Sequence, residues 1–193
     1  MNLTQVILAE GLTIKEHNHK SRNQFFSTKI LAEIIILVAL AGALSLISHS
    51  FFRLPQGGSI NLGMIPILWL AFRRGPKIGI LAGAIFGLVD LTIEPFIVHP
   101  IQFVMDYPLP FALLGLAGFF KKLPLIGVII GIIGRFFSHF ISGVVYFSDY
   151  APEGMSPVLY SAVYNATYLI PSMVVCAIVI YILQKSHVLN IYL

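Results

Sequence analysis

Of 193 residues, 58% are hydrophobic and only 10% are charged, with a mean hydropathy of +0.90. A water-facing domain carries charge on about a quarter of its positions, so a soluble globular protein is excluded. At about 20 apolar residues per crossing, this length has no room for a separate catalytic domain. The net charge of +4 comes from lysines and arginines scattered over loops rather than gathered on a nucleic-acid-binding face. The one cysteine, Cys176, lies in an apolar run and has no partner for an internal disulfide. The expected fold is all-α, an integral membrane bundle of six transmembrane helices.

Residues 1–29 are too polar and basic for a span, show no cleavable signal peptide, and read as a cytoplasmic N-terminal tail. The transmembrane domain, 30–185, opens with segment 1 at Ile30 to Phe52, followed by the turn-rich loop 53–59. Segment 2, Ile60 to Phe72, is short for a span and ends at the basic break Arg73 to Lys77. Segment 3 is Ile78 to Ile93, stopped by Glu94–Pro95, and segment 4 is Pro100 to Phe120. After the turn Lys121 to Pro124 come segment 5, Leu125 to Phe147, the loop 148–157, and segment 6, Val158 to Leu183. Residues 186–193 form a short C-terminal tail.

Basic residues orient this bundle. Of the twelve lysines and arginines, ten fall on the side of the two tails and of the loops after segments 2 and 4; only Arg53 falls on the other side, and Arg135 is within segment 5. The positive-inside rule then predicts both termini in the cytoplasm and loops 53–59, 94–99 and 148–157 outside, in a prokaryotic plasma membrane.

Ionisable groups at membrane depth are costly, which makes each a candidate for function. They are Glu33, Asp90, Glu94, Asp106, Arg135 and His139. Glu33 reads as a local residue that reaches the interface. Asp90 and Glu94, four apart, read as an interfacial carboxylate pair, and Arg135 as either a structural counter-ion or part of a site. On segment 4, Gln102 and Asp106 share a face with Tyr107 beside them. On segment 5, His139, Gly143 and Tyr146 form a stripe with Phe147 at its edge, and on segment 6 Ser161, Asn165 and Tyr168 do so, flanked by Tyr160 and Tyr164. At 1.5 Å per residue, Asp106, His139 and Asn165 all lie about 10 Å in from the outer ends. Three helices thus bring polar and aromatic groups to one level, as a cup open to the outside. Aromatic faces with a carboxylate suit a flat cationic ligand; the competing reading is a set of hydrogen bonds that only hold the bundle together.

Enzyme chemistry finds no foothold. No phosphate-binding G-x-x-x-x-G-K-[ST], no H-E-x-x-H and no G-x-S-x-G occurs. A Ser59–His139 protease pair is split between an outer loop and a buried helix. The histidines are dispersed, so no metal site is expected, and no cofactor is called for.

The stretches QGGSINLGMIPILWLAFRRGPKIGILAG, HPIQFVMDYPLPFALLGLAGFF, RFFSHFISGVVYF and YSAVYNA resemble the thiamine-specific substrate-binding (S) components of energy-coupling factor (ECF) vitamin transporters. The resemblance covers about 30–185. It implies six helices with both termini inside, thiamine bound near the outer surface, and transport that requires a transmembrane coupling protein and two ATPase subunits. Matched motif by motif, it assigns the ligand site to Asp106, Tyr107, His139, Gly143, Phe147, Tyr160, Ser161 and Asn165, with Gln102 beside them. Asp106 would offset the thiazolium, Phe147 and His139 would stack, and Tyr107, Ser161 and Asn165 would hydrogen-bond the pyrimidine. Phe96 stands where a Tyr can occur, and Gly57 where a gating-loop Trp can occur, so that the lid must work differently or use Phe51 or Phe52. Small residues on helix 1, here Ala39 and Ala43, would pack against the coupling protein. Two alternatives stay open: an S component for another vitamin or precursor, and an autonomous proton-coupled carrier using Asp90, Glu94 and Arg135.

Overall fold

The structure, a computed structural model, describes residues 27–54 and 58–186. The expected tails and Gly57 therefore lie largely or wholly outside the described residues. By internal packing the chain divides into Met1–Ile36 and Leu37–Leu193. Of the first unit, the described part is Ser27 and the opening of helix α1, Thr28–Phe51, where the Ser27 carbonyl accepts the Ile30 N–H at 2.9 Å. Everything below concerns the second unit.

Its elements are the rest of α1, α2 (Met64–Arg74), α3 (Pro76–Ile93), α4 (Pro100–Asp106), α5 (Pro108–Leu113), α6 (Pro124–Tyr146) and α7 (Pro157–Lys185), with 3₁₀ turns at Leu114–Phe120 and Ser148–Tyr150. No strand occurs among the described residues; Arg53 and Ser59 form one isolated antiparallel bridge after α1. Five stretches are long and apolar enough to cross a membrane: α1, α3, Pro100–Phe120, α6 and α7. The chain is a multi-pass helical membrane protein.

The second predicted segment departs from expectation. A helix is expected from Ile60, but α2 starts only at Met64 and has 11 residues. The backbone before it is claimed by side chains from other elements. The Leu62 N–H donates to Ser48 Oγ at 2.9 Å, and the Asn61 N–H to Ser172 Oγ at 3.3 Å. Asn61 Oδ1 accepts from the Gly63 N–H at 2.8 Å, a local turn that competes with helix. Non-helical backbone at membrane depth is tolerated when protein encloses it; Ser59, Asn61, Met64, Ile67, Leu68, Leu70, Ala71 and Phe72 are all buried. Gly75, at φ 89°, then turns the chain directly into Pro76, the first residue of α3.

Segment 4 is expected as one helix and is in fact broken at Tyr107. Pro108 and Pro110 have no N–H to return to Val104 and Asp106, so α4 stops at Asp106 and α5 restarts at Pro108. The restart is received by a glycine stripe on α3. A Cβ at Gly83 would run into the Phe111 carbonyl, one at Gly87 into the Tyr107 carbonyl, and one at Gly79 into Ala71 and Gly115. Close approach of backbones through small residues is how helices gain packing energy where lipid competes for apolar surface. On α6, Gly127 and Gly131 serve the same end, against Phe72 and Ala117 and against the Leu114 backbone.

Candidate functional site

The breaks that shorten α2 and split Pro100–Phe120 also leave room between the helices at one end of the bundle. A cavity of about 440 Å³ opens there, within the range of small-molecule sites. All nine residues assigned to the ligand site from the sequence line it: Gln102, Asp106, Tyr107, His139, Gly143, Phe147, Tyr160, Ser161 and Asn165.

Asp106 is its centre. One carboxylate oxygen accepts from Gln102 Nε2 at 2.7 Å and from Ser142 Oγ at 2.9 Å, and the other meets His139 Nδ1 at 3.1 Å. Arg135 Nε donates to the opposite ring nitrogen of His139 at 3.3 Å. That donation makes Nε2 the acceptor, puts the imidazole proton on Nδ1 and leaves the ring neutral. Asp106 is therefore hydrogen-bonded by three neutral donors, with the Arg135 cation one imidazole away rather than in direct contact. The Arg135 guanidinium, only 5% exposed, lies 4.0 Å from the centre of the Phe111 ring.

The other two carboxylates are already paired. Asp90 accepts from Ser45 Oγ and from Asn61 Nδ2 at 3.3 Å, with His49 Nε2 at 3.7 Å. Glu94 meets Arg53 Nη2 at 2.7 Å and His49 Nδ1 at 2.7 Å, the latter an ion-pair approach out of line for a hydrogen bond. His49, with help from Arg53, holds the Glu94 carboxyl below its ordinary value against the opposing effect of burial. This chain ties the end of α1 and the start of loop 53–59 to the end of α3. Asp90 and Glu94, expected as an interfacial pair, thus form an internal latch on the cavity wall.

Much of the remaining lining is aromatic. Phe96 and Phe147 lie with ring centres 5.8 Å apart, Phe147 and Tyr150 6.0 Å apart, and Tyr160 and Tyr164 stack at 5.9 Å. The Tyr107 hydroxyl accepts from the Phe96 N–H at 2.8 Å and donates to the Glu94 carbonyl at 2.8 Å, so it is bound to the loop between α3 and α4. Ser161 Oγ donates to the Phe140 carbonyl at 2.8 Å, and Asn165 Nδ2 donates to the Ser161 carbonyl at 2.8 Å. Asn165 Oδ1 accepts from Tyr168. A Cβ at Gly143 would run into Ser161 Oγ, so α6 and α7 meet there only because residue 143 has no side chain.

One stripe residue goes elsewhere: Tyr146 stacks on His99 at 5.1 Å and is not part of the cavity lining. Phe51 and Phe52, expected as substitutes for a lid, are exposed and also absent from the lining. Ala39 and Ala43 are on the exposed face of α1, away from the cavity. Sequence reasoning missed His49, Arg53, Ser59 and Asn61, all of which line it. The signal for Asn61 was available, since it is a polar residue directly before an apolar run.

A family model described as thiamine transporter protein matches residues 31–191. The chain belongs to this thiamine transporter family. It is 41% identical to thiamine transporter ThiT of Bacillus subtilis, a match covering 79% of this chain and 88% of that protein. It is 33% identical to ThiT of Lacticaseibacillus paracasei, over 80% of this chain and 86% of that one. Among solved structures, ThiT from Listeria monocytogenes superposes with a TM-score of 0.68 at 31% identity, covering 79% of this chain and 93% of that chain. The thiamine transporter family is one of transporters, not enzymes.

Proposed function

We propose that this chain is the thiamine-binding S component of an ECF importer in the plasma membrane. It captures thiamine from outside and delivers it through a transmembrane coupling protein driven by two ATPase subunits. The ThiT relatives of Bacillus subtilis and Lacticaseibacillus paracasei are named thiamine transporters, and thiamine is a flat, permanently charged cation. The observation that carries the reading is the state of Asp106: a carboxylate in an aromatic cavity, hydrogen-bonded by neutral donors alone.

In this reading the thiazolium sits against Asp106, with Phe147 and His139 against its faces. Ser161 Oγ and Asn165 Oδ1 each keep a lone pair for the pyrimidine amine, and Tyr107 contributes its ring while its hydroxyl holds the rim. The protein crosses the membrane six times. The sixth crossing is α2 with the extended stretch before it, both termini are cytoplasmic, and the cavity faces out. Ala39 and Ala43 form the seat for the coupling protein. The carrier reading has less support, because Asp90 and Glu94 are occupied by His49, Arg53, Ser45 and Asn61.

Calorimetric titration of the purified chain with thiamine tests the reading directly. Asp106→Asn keeps the shape and removes the charge, and affinity should fall by about 100-fold, or ~2.7 kcal/mol. Unchanged affinity sinks the assignment. Uptake by this chain alone in vesicles under a proton gradient would support the carrier instead.

A further inference from the structure

All five acids described in the second unit, Asp90, Glu94, Asp106, Asp149 and Glu153, are at or near the cavity end. The opposite end is basic. The α3 helix starts at Pro76 and reaches the cavity at Asp90, and α6 starts at Pro124 and reaches it at Arg135. Their first residues are therefore roughly 15–20 Å from the cavity at 1.5 Å per residue. The turns that precede them, Arg73 to Lys77 and Lys121 to Leu123, are packed together. Lys121 Nζ donates to the Arg73 carbonyl at 3.4 Å, its Cε lies 3.9 Å from where a Cβ on Gly75 would stand, and Gly118 leaves no room for a Cβ beside Gly75 and Pro76. Lys77 and Lys122 are exposed and Lys121 is half-exposed.

Set among these lysines are large apolar side chains facing outward: Phe119 at 68% exposure, Leu123 at 57% and Leu125 at 40%. Cations and bare hydrocarbon on one turn have a single environment that satisfies both. The apolar groups enter the acyl region while the lysine stems reach up to anionic groups at its border. An acidic protein surface in water would answer the lysines and leave Phe119 and Leu123 exposed.

We propose that this paired turn, with Lys77, Lys121 and Lys122 as its cations, is a binding site for the phosphate headgroups of anionic phospholipids. The proposal does not depend on the reading of the cavity, because lipid retention is measured without thiamine.

The test is native mass spectrometry of the full chain in detergent, titrated with phosphatidylglycerol and with phosphatidylcholine. The wild-type chain should retain phosphatidylglycerol preferentially, and the triple variant K77Q/K121Q/K122Q should lose that preference by about tenfold. Thiamine affinity of the variant, measured alongside, should not change, since the cavity is at the other end. If the triple variant does not fold, Lys77→Glu alone, a change at an exposed side chain, must still cut the preference. Equal retention of the two lipids by wild type, or a preference that survives the lysine changes, overturns the proposal. Displacement of the lipid by glycerol phosphate in solution also overturns it, by showing a site for free phosphate.

Discussion

Gln102 is 1% exposed, and its amide is wholly committed inside the protein. One hydrogen goes to Asp106, the other to the Phe96 carbonyl at 3.1 Å, while its oxygen accepts from the Val98 N–H at 3.1 Å. It joins the central carboxylate to the rim loop rather than presenting a free group to a ligand. Gln102→Met keeps the length and removes all three bonds, so thiamine affinity should fall about tenfold in calorimetry, with Asp106 less firmly held. Gln102→Glu puts a like charge beside Asp106 and should cost more than Met does. Glu94 makes a different prediction. Its carboxyl is held below its ordinary value of 4.5, so its stabilisation is fully present at neutral pH and is lost as pH falls below that value. Glu94→Gln should therefore lower stability by about 1 kcal/mol near neutrality. Thermal unfolding of variant and parent should converge as pH falls through the lowered value of the Glu94 carboxyl.

At the scale of elements, the glycine stripe on α3 decides how the bundle closes. Gly83→Val forces a side chain into the Phe111 backbone, and overpacking of this kind costs about 1–3 kcal/mol or more. The expected outcome is a lower melting temperature or loss of folded protein on size-exclusion chromatography. The long helices were legible because an apolar run between turn residues has few other fates. Pro108 and Pro110 were equally visible, yet the run through them reads as one span because hydrophobicity does not register a missing N–H. The late start of α2 was not legible, since the groups that hold it off, Ser48 and Ser172, come from helices distant in sequence. The same holds for the site. Asp106, His139 and Asn165 stand out as polar residues at matching depth, while His49 and Arg53 are at the end of a helix and face the cavity only through pairing with α3.

At the scale of the whole molecule, Ala39 and Ala43 are exposed on α1, and neither lines the cavity. Replacing both with Leu should leave thiamine titrations unchanged while uptake in cells carrying the complete importer collapses; loss of binding as well would indicate a folding defect.

The glycine contacts between α3 and the chain from Tyr107 to Gly115 have a mechanical consequence. Main chain rests on main chain there, with no side chain between to slide or change rotamer. That half of the cup is a door frame. Phe96 hangs from it through Tyr107 and Gln102, and Asp106 is bolted to its edge. The other jamb is built differently: there the end of α1 and Arg53 are fastened to the frame by side chains alone, through an acid-sensitive catch at Glu94 and the bonds that Ser45, His49 and Asn61 make to Asp90, and such groups, unlike abutting backbones, can part and meet again.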